Sequence, residues 1–454
     1  MGSVMEVIVV EVPELGNHAH LVHDGAHALV VDPPRDWRPL ELAAEEASVR
    51  IAAVADTHVH NDYVSGAPAL ARRHGADYWL SADERVHVDR LGVRGGDILG
   101  VGDLVVQVLS TPGHTLHHQS FLVTDPESGA RTVFSGGSLL HGTVGRTDLV
   151  DPLLSRMMGR AQWESARQLG ALDDRVALHP THGFGSLCAA TVPGDGVHGT
   201  IGDERETNPV LRTTRDTYVE ALVAGFGPVP RYYRHMSALN RAGAGATPVL
   251  PPSEVDEVAV HAAVRAGSWV LDLRSRHDFA RAHLTGSVNI EDCPQLATYA
   301  GWLVPWGTDV VLVSDSTDDL AAGVHDLAQI GMTVRATHLL GPVDTWLDST
   351  DYRVADWATY SRSPRGSVTL DVRLDAEYHA SHLPDSMHIP LHDLDGAIGR
   401  LPAGQVWVHC RSGFRAAIAA SLLARRGRDV VLVTDDWDAI ESIGLPTVAS
   451  RPAA

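Results

Sequence analysis

The 454 residues contain no lysine, so all 36 formally positive side chains are arginine. That absence removes Schiff-base lysine chemistry and the lysine of a phosphate-binding P-loop. Only three cysteines occur, Cys188, Cys293 and Cys410. They lie far apart with no pair at metal-ligand spacing, which excludes a disulfide framework or a Cys-rich zinc finger and fits a reducing compartment. Positive charge is scarce overall: 36 basic against 57 acidic side chains give a net charge of −21. Partners that need a basic face, nucleic acid and anionic membranes, are therefore not expected. No apolar run approaches the roughly 20 residues of a membrane span, and Met1–Val10 lacks the order of a secretory signal. The expectation is a cytoplasmic protein. Both lysine codons are A-rich, so the missing lysine also suggests a GC-rich bacterial genome.

The length predicts two to four domains at roughly 100–200 residues each. Up to about Asn240, short β-branched runs (Glu6–Val12, Ala28–Val31, Ile51–Ala55, Leu104–Leu109) alternate with Gly/Pro/Asp turns and a helical patch at Ala67–His74. This reads as a mixed α/β layer structure. Small residues ending in Pro-Pro, Ala242–Pro252, mark a boundary. Beyond it lies a repeat at an offset of 99 residues: Asp272/Asp371, Arg274/Arg373, His283/His382 and Ile290/Ile389 all keep that spacing. Each copy has a buried strand before an Ala-rich helix, Val310–Val313 then Asp319–Ile330, and Val406–His409 then Ala416–Arg426. Strand–helix alternation implies parallel sheets with functional loops at the strand C-termini. The boundaries are placed at 1–240, 253–351 and 356–454.

Cys410-Arg-Ser-Gly-Phe-Arg415 falls between such a strand and its helix. A cysteine there faces the positive helix end and converging backbone N–H groups, both of which favour a thiolate nucleophile. The Cys-x4-Arg spacing is one residue tighter than a phosphate cradle. With Asp371-Val-Arg373 and His382…Ile389-Pro390, the stretch Asp356–Pro446 resembles the rhodanese family, which carries sulfane sulfur as a cysteine persulfide. The resemblance implies Cys410 as the nucleophile, Arg411 and Arg415 as a positive field for an anionic donor, and Ser412 and Gly413 in the substrate cradle. The middle copy resembles a rhodanese too, but Ser314 and Asp315 stand where Cys410 and Arg411 would be. It is read as a degenerate copy with a packing or docking role.

In the first segment Thr57-His-Val-His-Asn-Asp-Tyr63 follows a strand and throws two imidazoles and a carboxylate off its end. Thr111-Pro-Gly-His114, Ser135-Gly-Gly-Ser138, Gly145-Arg-Thr-Asp148 and His179-Pro-Thr-His182 follow at further strand ends or turns. In this order they resemble the metallo-β-lactamase fold, specifically its persulfide dioxygenase branch. That implies an αββα sandwich holding one mononuclear iron through two histidines and an aspartate. The histidines map onto His58 and His114, but the aspartate maps onto Gly137. Tyr63 replaces a histidine of a second metal site, which disfavours a dinuclear hydrolytic centre. What remains is His58, His60 and His114, with Asp62 and His182 on the rim. Three imidazoles suffice for Zn(II) and make a weaker shell for Fe(II). His117 or His118 is an alternative for the lost aspartate. Arg146 is expected either to bind an anionic substrate or to pair with Asp148, Cys188, six residues past His182, either to lie near the metal mouth or to be a core thiol, and Cys293 to be a structural thiol.

The module order resembles the bacterial persulfide dioxygenase–sulfurtransferase fusions. The expected substrates are then a glutathione-like or coenzyme A-like persulfide, sulfite and thiosulfate, with Fe(II) as cofactor. Zn(II) or no metal is the alternative, and a homo-oligomer is left open. Three rivals stand beside this reading: a sulfurtransferase with a decayed metal domain, a zinc thioester hydrolase, and a persulfide carrier or sensor without turnover.

Overall fold

Strict alternation along the strands of the first segment sends neighbouring side chains to different layers. Ala28 and Val30 pack with Leu40, Leu70 and Ile51, whereas Leu29 and Val31, alternating with them, pack with Phe121, Val123 and Phe134. Leu122, flanked by Phe121 and Val123, points the other way, to Ala166, Leu169 and Leu178. Three apolar layers separated by two sheets make an αββα sandwich. The computed structural model describes residues 5–191, 199–246, 250–342, 345–362 and 367–450. It divides into two units, Met1–Val249 with Ala328–Gly331, and Leu250–Leu327 with Met332–Ala454. Ala242–Pro252, read above as a boundary, runs partly through residues 247–249, which lie outside those described.

The first sheet of the sandwich orders its strands as Glu6–Val12, Asn17–His23, His27–Val31, Arg50–Ala55, Asp77–Ser81 and Leu91–Val93. The second runs Ala177–Pro180, Arg131–Gly136, Gln119–Thr124, Leu104–Ser110 and Ile98–Val101. Helices Arg38–Glu46 and Ala67–His74 contribute apolar faces to the layer outside the first sheet, and Ser155–Gly170 to the layer outside the second.

The second unit contains the two copies of the repeat, and their sheets have one topology. Ser253–Glu254, Val334–Leu339, Val310–Ser314, Trp269–Asp272, Val288–Asn289 in the first copy matches Arg353–Ala355, Val430–Val433, Val406–His409, Val368–Asp371, Met387–His388 in the second. All the neighbouring strands pair in parallel. The repeated Asp-x-Arg is a latch. Arg274 grips Asp272 through Nη2 at 2.6 Å, and Arg373 grips Asp371 at the same distance. The same Nη2 atoms reach the Ala282 and Ser381 carbonyls just before the repeated histidine, and the guanidiniums lie over Trp346 and Trp437. Both carboxylates are fully buried. Arg373→Leu would strand the Asp371 charge and is expected to cost about 3–5 kcal/mol, read as an earlier urea midpoint for this unit.

Candidate metal centre and cysteine loop

Three strand C-termini deliver the histidines of the first unit, and a fourth brings the Gly137–Ser138 turn against them. Thr57–Tyr63 leaves strand Arg50–Ala55 of one sheet, while Thr111–His114, Gly137–Ser138 and Thr181–His182 leave strands of the other. His58, His114 and His182, all fully buried, present one ring nitrogen each within 4.8 Å of one another. Their Nε2 atoms meet no protein partner, and every Nδ1 is tethered. Thr57 Oγ1 gives its hydrogen to Asp32 Oδ2 (2.8 Å), which can only accept, so its lone pair takes the His58 Nδ1–H at 2.9 Å. The His114 Nδ1–H donates to the Arg146 carbonyl at 2.8 Å. His182 Nδ1–H donates to Asn17 Oδ1 at 3.0 Å, the amide being oriented by its NH2 group on Asp62 Oδ2 at 2.6 Å. All three rings are thereby fixed as tautomers whose Nε2 lone pairs face each other.

Converging lone pairs with nothing between them are what a metal ion satisfies, and the tethered second nitrogen is the usual companion of a ligating histidine. The donor set fits a metal ion with open positions. Burial keeps the rings neutral. It pulls His114 and His182 down to about 3, and His58 well below its ordinary value. Thr57→Val would release the His58 ring and is expected to weaken metal affinity about 10–100-fold, measured by competition with a chelator.

His182, placed on the rim by the sequence, completes this triad instead of His60. Burial disfavours a charge on His60, but Asp32 and Asp56, 3.3 and 3.5 Å from Nε2, outweigh it and hold the ring up at about 10. The Tyr63 hydroxyl also meets that nitrogen at 2.9 Å. Burial likewise acts to raise the Asp32 carboxyl, but the His60 charge and hydrogen bonds from Thr181 and Thr57 hold it below the usual carboxylate range. These shifts bracket the ordinary histidine value of 6.5. Between pH 3 and 6.5 the unfolded His114 and His182 bind protons that the folded rings refuse, so stability falls as pH drops through that window. His60 binds its proton more tightly when folded, a contribution complete below pH 6.5 and lost as pH climbs towards 10. The metal-free first unit is expected to melt highest near pH 6.5, as a pH series of thermal scans in chelator would show.

Gly137, where the family aspartate is missing, has no room for a side chain. A Cβ there would lie 2.3 Å from His114 Cδ2, and one at Gly145 would lie 2.6 Å from His114 Nδ1. Gly137→Ala is therefore expected to displace the His114 ring and lower metal occupancy rather than leave it unchanged. His118 does not replace the aspartate: its Nε2 accepts the Gly137 N–H at 3.0 Å, and Nδ1 is met by Thr111 and Ser138 hydroxyls. His117 is half-buried in the adjoining turn. Asp62 is buried beside His182, with Oδ1 unpartnered. Burial raises its pKa. Cys188 is buried next to both, and burial pushes its thiol well up. Arg146 is a structural residue: it grips Asp148 with two 2.7 Å bonds and the Gly227 carbonyl with a third. Beside the triad, a cleft of about 470 Å³ is lined by Val59, Asn61, Thr115, Tyr233, Arg231 and Arg234, among others. Sequence reasoning missed Asn17, Asp32 and Asn240, which holds the His60 and Tyr63 carbonyls. Asp32 had a signal, an acidic residue at a strand end, and it adopts a φ of 53°. Asn17 and Asn240 had none.

In the second unit, strand Val406–His409 runs into Cys410 and then helix Phe414–Arg425, with Gly413 at φ 82°. Cys410 is buried. Arg415 makes bonds of 2.6 and 2.8 Å to Glu377, so its charge is balanced rather than free for a donor. Arg411 is exposed and meets Asp438 at 3.1 Å. The Arg411 and Ser412 carbonyls accept from Trp437 N and Arg276 Nη1. Cys293 lies outside the loop, half-buried, its thiol pushed up to about 11 by burial. Ser314 ends the matching strand of the other copy, bonded to Asp319.

A family model, the rhodanese-like domain, matches residues 358–442. A hydroxyacylglutathione hydrolase of Cereibacter sphaeroides is 33% identical over 236 aligned residues, covering 46% of this chain and 88% of the relative. The chain belongs to the metallo-β-lactamase-fold family. A second hydroxyacylglutathione hydrolase, from Rhodopseudomonas palustris, is 31% identical over 176 residues, and the chain spans 63% of its length. A metallo-β-lactamase structure from Staphylococcus aureus shares the fold, with 24% identity and a TM-score of 0.66 over 74% of this chain and 99% of that one. This metallo-β-lactamase-fold chain thus carries a buried cluster of three histidines able to hold a metal ion and a rhodanese-like domain. Among the described residues, no helix is long and apolar enough to cross a membrane.

Proposed function

We propose that this protein oxidises a low-molecular-weight persulfide to sulfite at the His58–His114–His182 centre, and moves sulfane sulfur at Cys410. The observation that carries the reading is the triad of orphaned Nε2 atoms, on the same chain as a strand–Cys–turn–helix loop within the rhodanese match. The balanced first reaction takes a persulfide R–S–SH, O2 and water to R–SH, sulfite and two protons. A ferrous ion held by the three imidazoles supplies open positions and redox capacity for this chemistry. The chain's own residues bind and orient. Arg231 and Arg234 in the cleft suit the carboxylates or phosphates of a glutathione-like or coenzyme A-like carrier. Asp62, buried beside His182 with Oδ1 unpartnered, would take up a proton from the substrate. At the second centre the Cys410 thiolate attacks the outer sulfur of thiosulfate, the S–S bond breaks, and sulfite leaves with the electron pair. The cysteine persulfide then passes its sulfur to an acceptor nucleophile, which restores the thiolate.

Oxygen uptake by anaerobically Fe(II)-loaded protein on adding glutathione persulfide, with His58→Ala as control, tests the oxygenase half. Uptake lost in the variant supports it, and no uptake by the loaded wild type refutes it. One observation favours a second reading. The hydrolase relatives and an all-imidazole donor set suit Zn(II) and cleavage of a glutathione thioester. Thioester turnover by Zn(II)-loaded protein, without oxygen uptake by the Fe(II) form, would select it.

A further inference from the structure

The degenerate copy has lost its nucleophile, yet one of its side chains holds the loop that carries the other copy's nucleophile. Arg276 opens helix Arg276–Arg281 of that copy. Glu291 grips two of its guanidinium nitrogens, Nε at 2.8 Å and Nη2 at 2.7 Å. The remaining Nη1 is thereby aimed, and it donates to the Ser412 carbonyl of the Cys410 loop at 2.9 Å. The guanidinium also lies 5.3 Å from the centre of the Phe414 ring, against which Tyr299 of the same copy packs at 5.2 Å. The pair does not belong to the repeated framework. At the offset that superposes the latches, Arg276 and Glu291 correspond to Asp375 and Pro390 of the last copy.

A carbonyl held from outside has a consequence on the inside. The Ser412–Gly413 peptide is trans, so its N–H points opposite to its C=O. Fixing the Ser412 oxygen on Arg276 turns the Gly413 N–H away from Arg276. Trp437 N fixes the preceding carbonyl, of Arg411, at 2.6 Å in the same manner, which orients the Ser412 N–H. Among the described residues neither N–H has an acceptor. A charged donor on a peptide oxygen also polarises the peptide and strengthens its N–H as a donor. Gly413 suits this arrangement: φ is 82°, and a Cβ would lie 2.8 Å from the Thr434 carbonyl and 3.2 Å from Arg276 Nη1.

We infer that Arg276, aimed by Glu291, is a positioning residue for sulfur transfer: through the Ser412 carbonyl it sets the backbone N–H cradle that receives the anionic sulfur at Cys410. The inference rests on the sulfur-transfer reading above, and its test separates the two. Arg276→Ala, Arg276→Lys and Glu291→Gln would be made in the full chain. Each is assayed for thiosulfate-to-cyanide transfer, for the alkylation rate of the Cys410 peptide by iodoacetamide at neutral pH, and for thermal unfolding. Arg276→Ala is expected to lower kcat/KM for thiosulfate about tenfold, the worth of one charge-assisted hydrogen bond, and to slow Cys410 alkylation, in a protein that remains folded at the assay temperature. Arg276→Lys, which keeps a cationic donor, should recover part of both losses, whereas a merely structural role would leave the alkylation rate of a folded variant unmoved. If wild type transfers sulfur and folded Arg276→Ala matches it in both readouts, the inference is overturned. If Arg276→Ala does not fold, Glu291→Gln decides: a smaller loss in the same readouts supports the inference, and wild-type values overturn it. Absence of transfer by the wild type would overturn the functional reading instead, leaving alkylation to decide whether Arg276 acts on Cys410.

Discussion

Cys410→Ser is expected to abolish sulfane transfer from thiosulfate to cyanide, by about a thousandfold or more, while metal content and persulfide-dependent oxygen uptake persist. A serine hydroxyl does not ionise at neutral pH and cannot carry sulfane sulfur, so the covalent route closes. The fold should accept the change. The other copy already ends its matching strand in buried Ser314, and the exchange at Cys410 keeps the side chain small where only 1% of the residue is exposed. Transfer is followed as thiocyanate formation and folding by circular dichroism. Survival of transfer in a well-folded variant would remove Cys410 from the mechanism and leave the rhodanese likeness a matter of fold alone.

The second large effect is expected at the metal centre. His114→Ala removes a ligand and opens the space that Gly137 and Gly145 reserve for its ring. Bound metal, measured by elemental analysis after desalting, should fall from about one ion per chain to near none, and oxygen uptake with it. Metal added to wild type should raise the melting temperature of the first unit, because an ion at a thousand times its Kd stabilises by about 4 kcal/mol. That shift should vanish in His114→Ala. His118 is the contrast: its ring stacks 4.9 Å from His58, but both its nitrogens are engaged by the protein. His118→Gln should retain metal. Were a folded His118→Gln to lose metal as fully as His114→Ala, the assignment of the three ligands would be wrong.

What could be read without coordinates was whatever is local along the chain. The Cys410 loop, the Asp-x-Arg repeat and the histidine-bearing strand ends are each contiguous motifs, and the αββα sandwich follows from alternating strands and the family likeness. The orientation of side chains was not legible, because it depends on partners brought from elsewhere. His60 and His182 exchange roles because Asp32 and Asp56 hold one ring, while Asn17, 165 residues from His182, aims the other. Arg146 had its structural partner two residues away, and the sequence left pairing and substrate binding equally open. The bond from Arg276 to the Ser412 carbonyl spans 136 residues and joins two copies that looked independent.

The tethers of the three metal-site histidines end on a threonine hydroxyl, a backbone carbonyl and an asparagine amide. None is itself a carboxylate, the partner that makes an imidazole more basic, and the three rings bring no negative charge of their own. None of the charge of an ion held this way would be cancelled by its three imidazole ligands, which would favour an anionic sulfur ligand over a neutral thiol. It would also be held with modest selectivity among divalent metals, whose intrinsic affinities rise from iron to copper. Which element fills the site in a living cell would then follow from the cell's buffered pools of free iron and zinc more than from the pocket, and growth medium becomes an experimental variable.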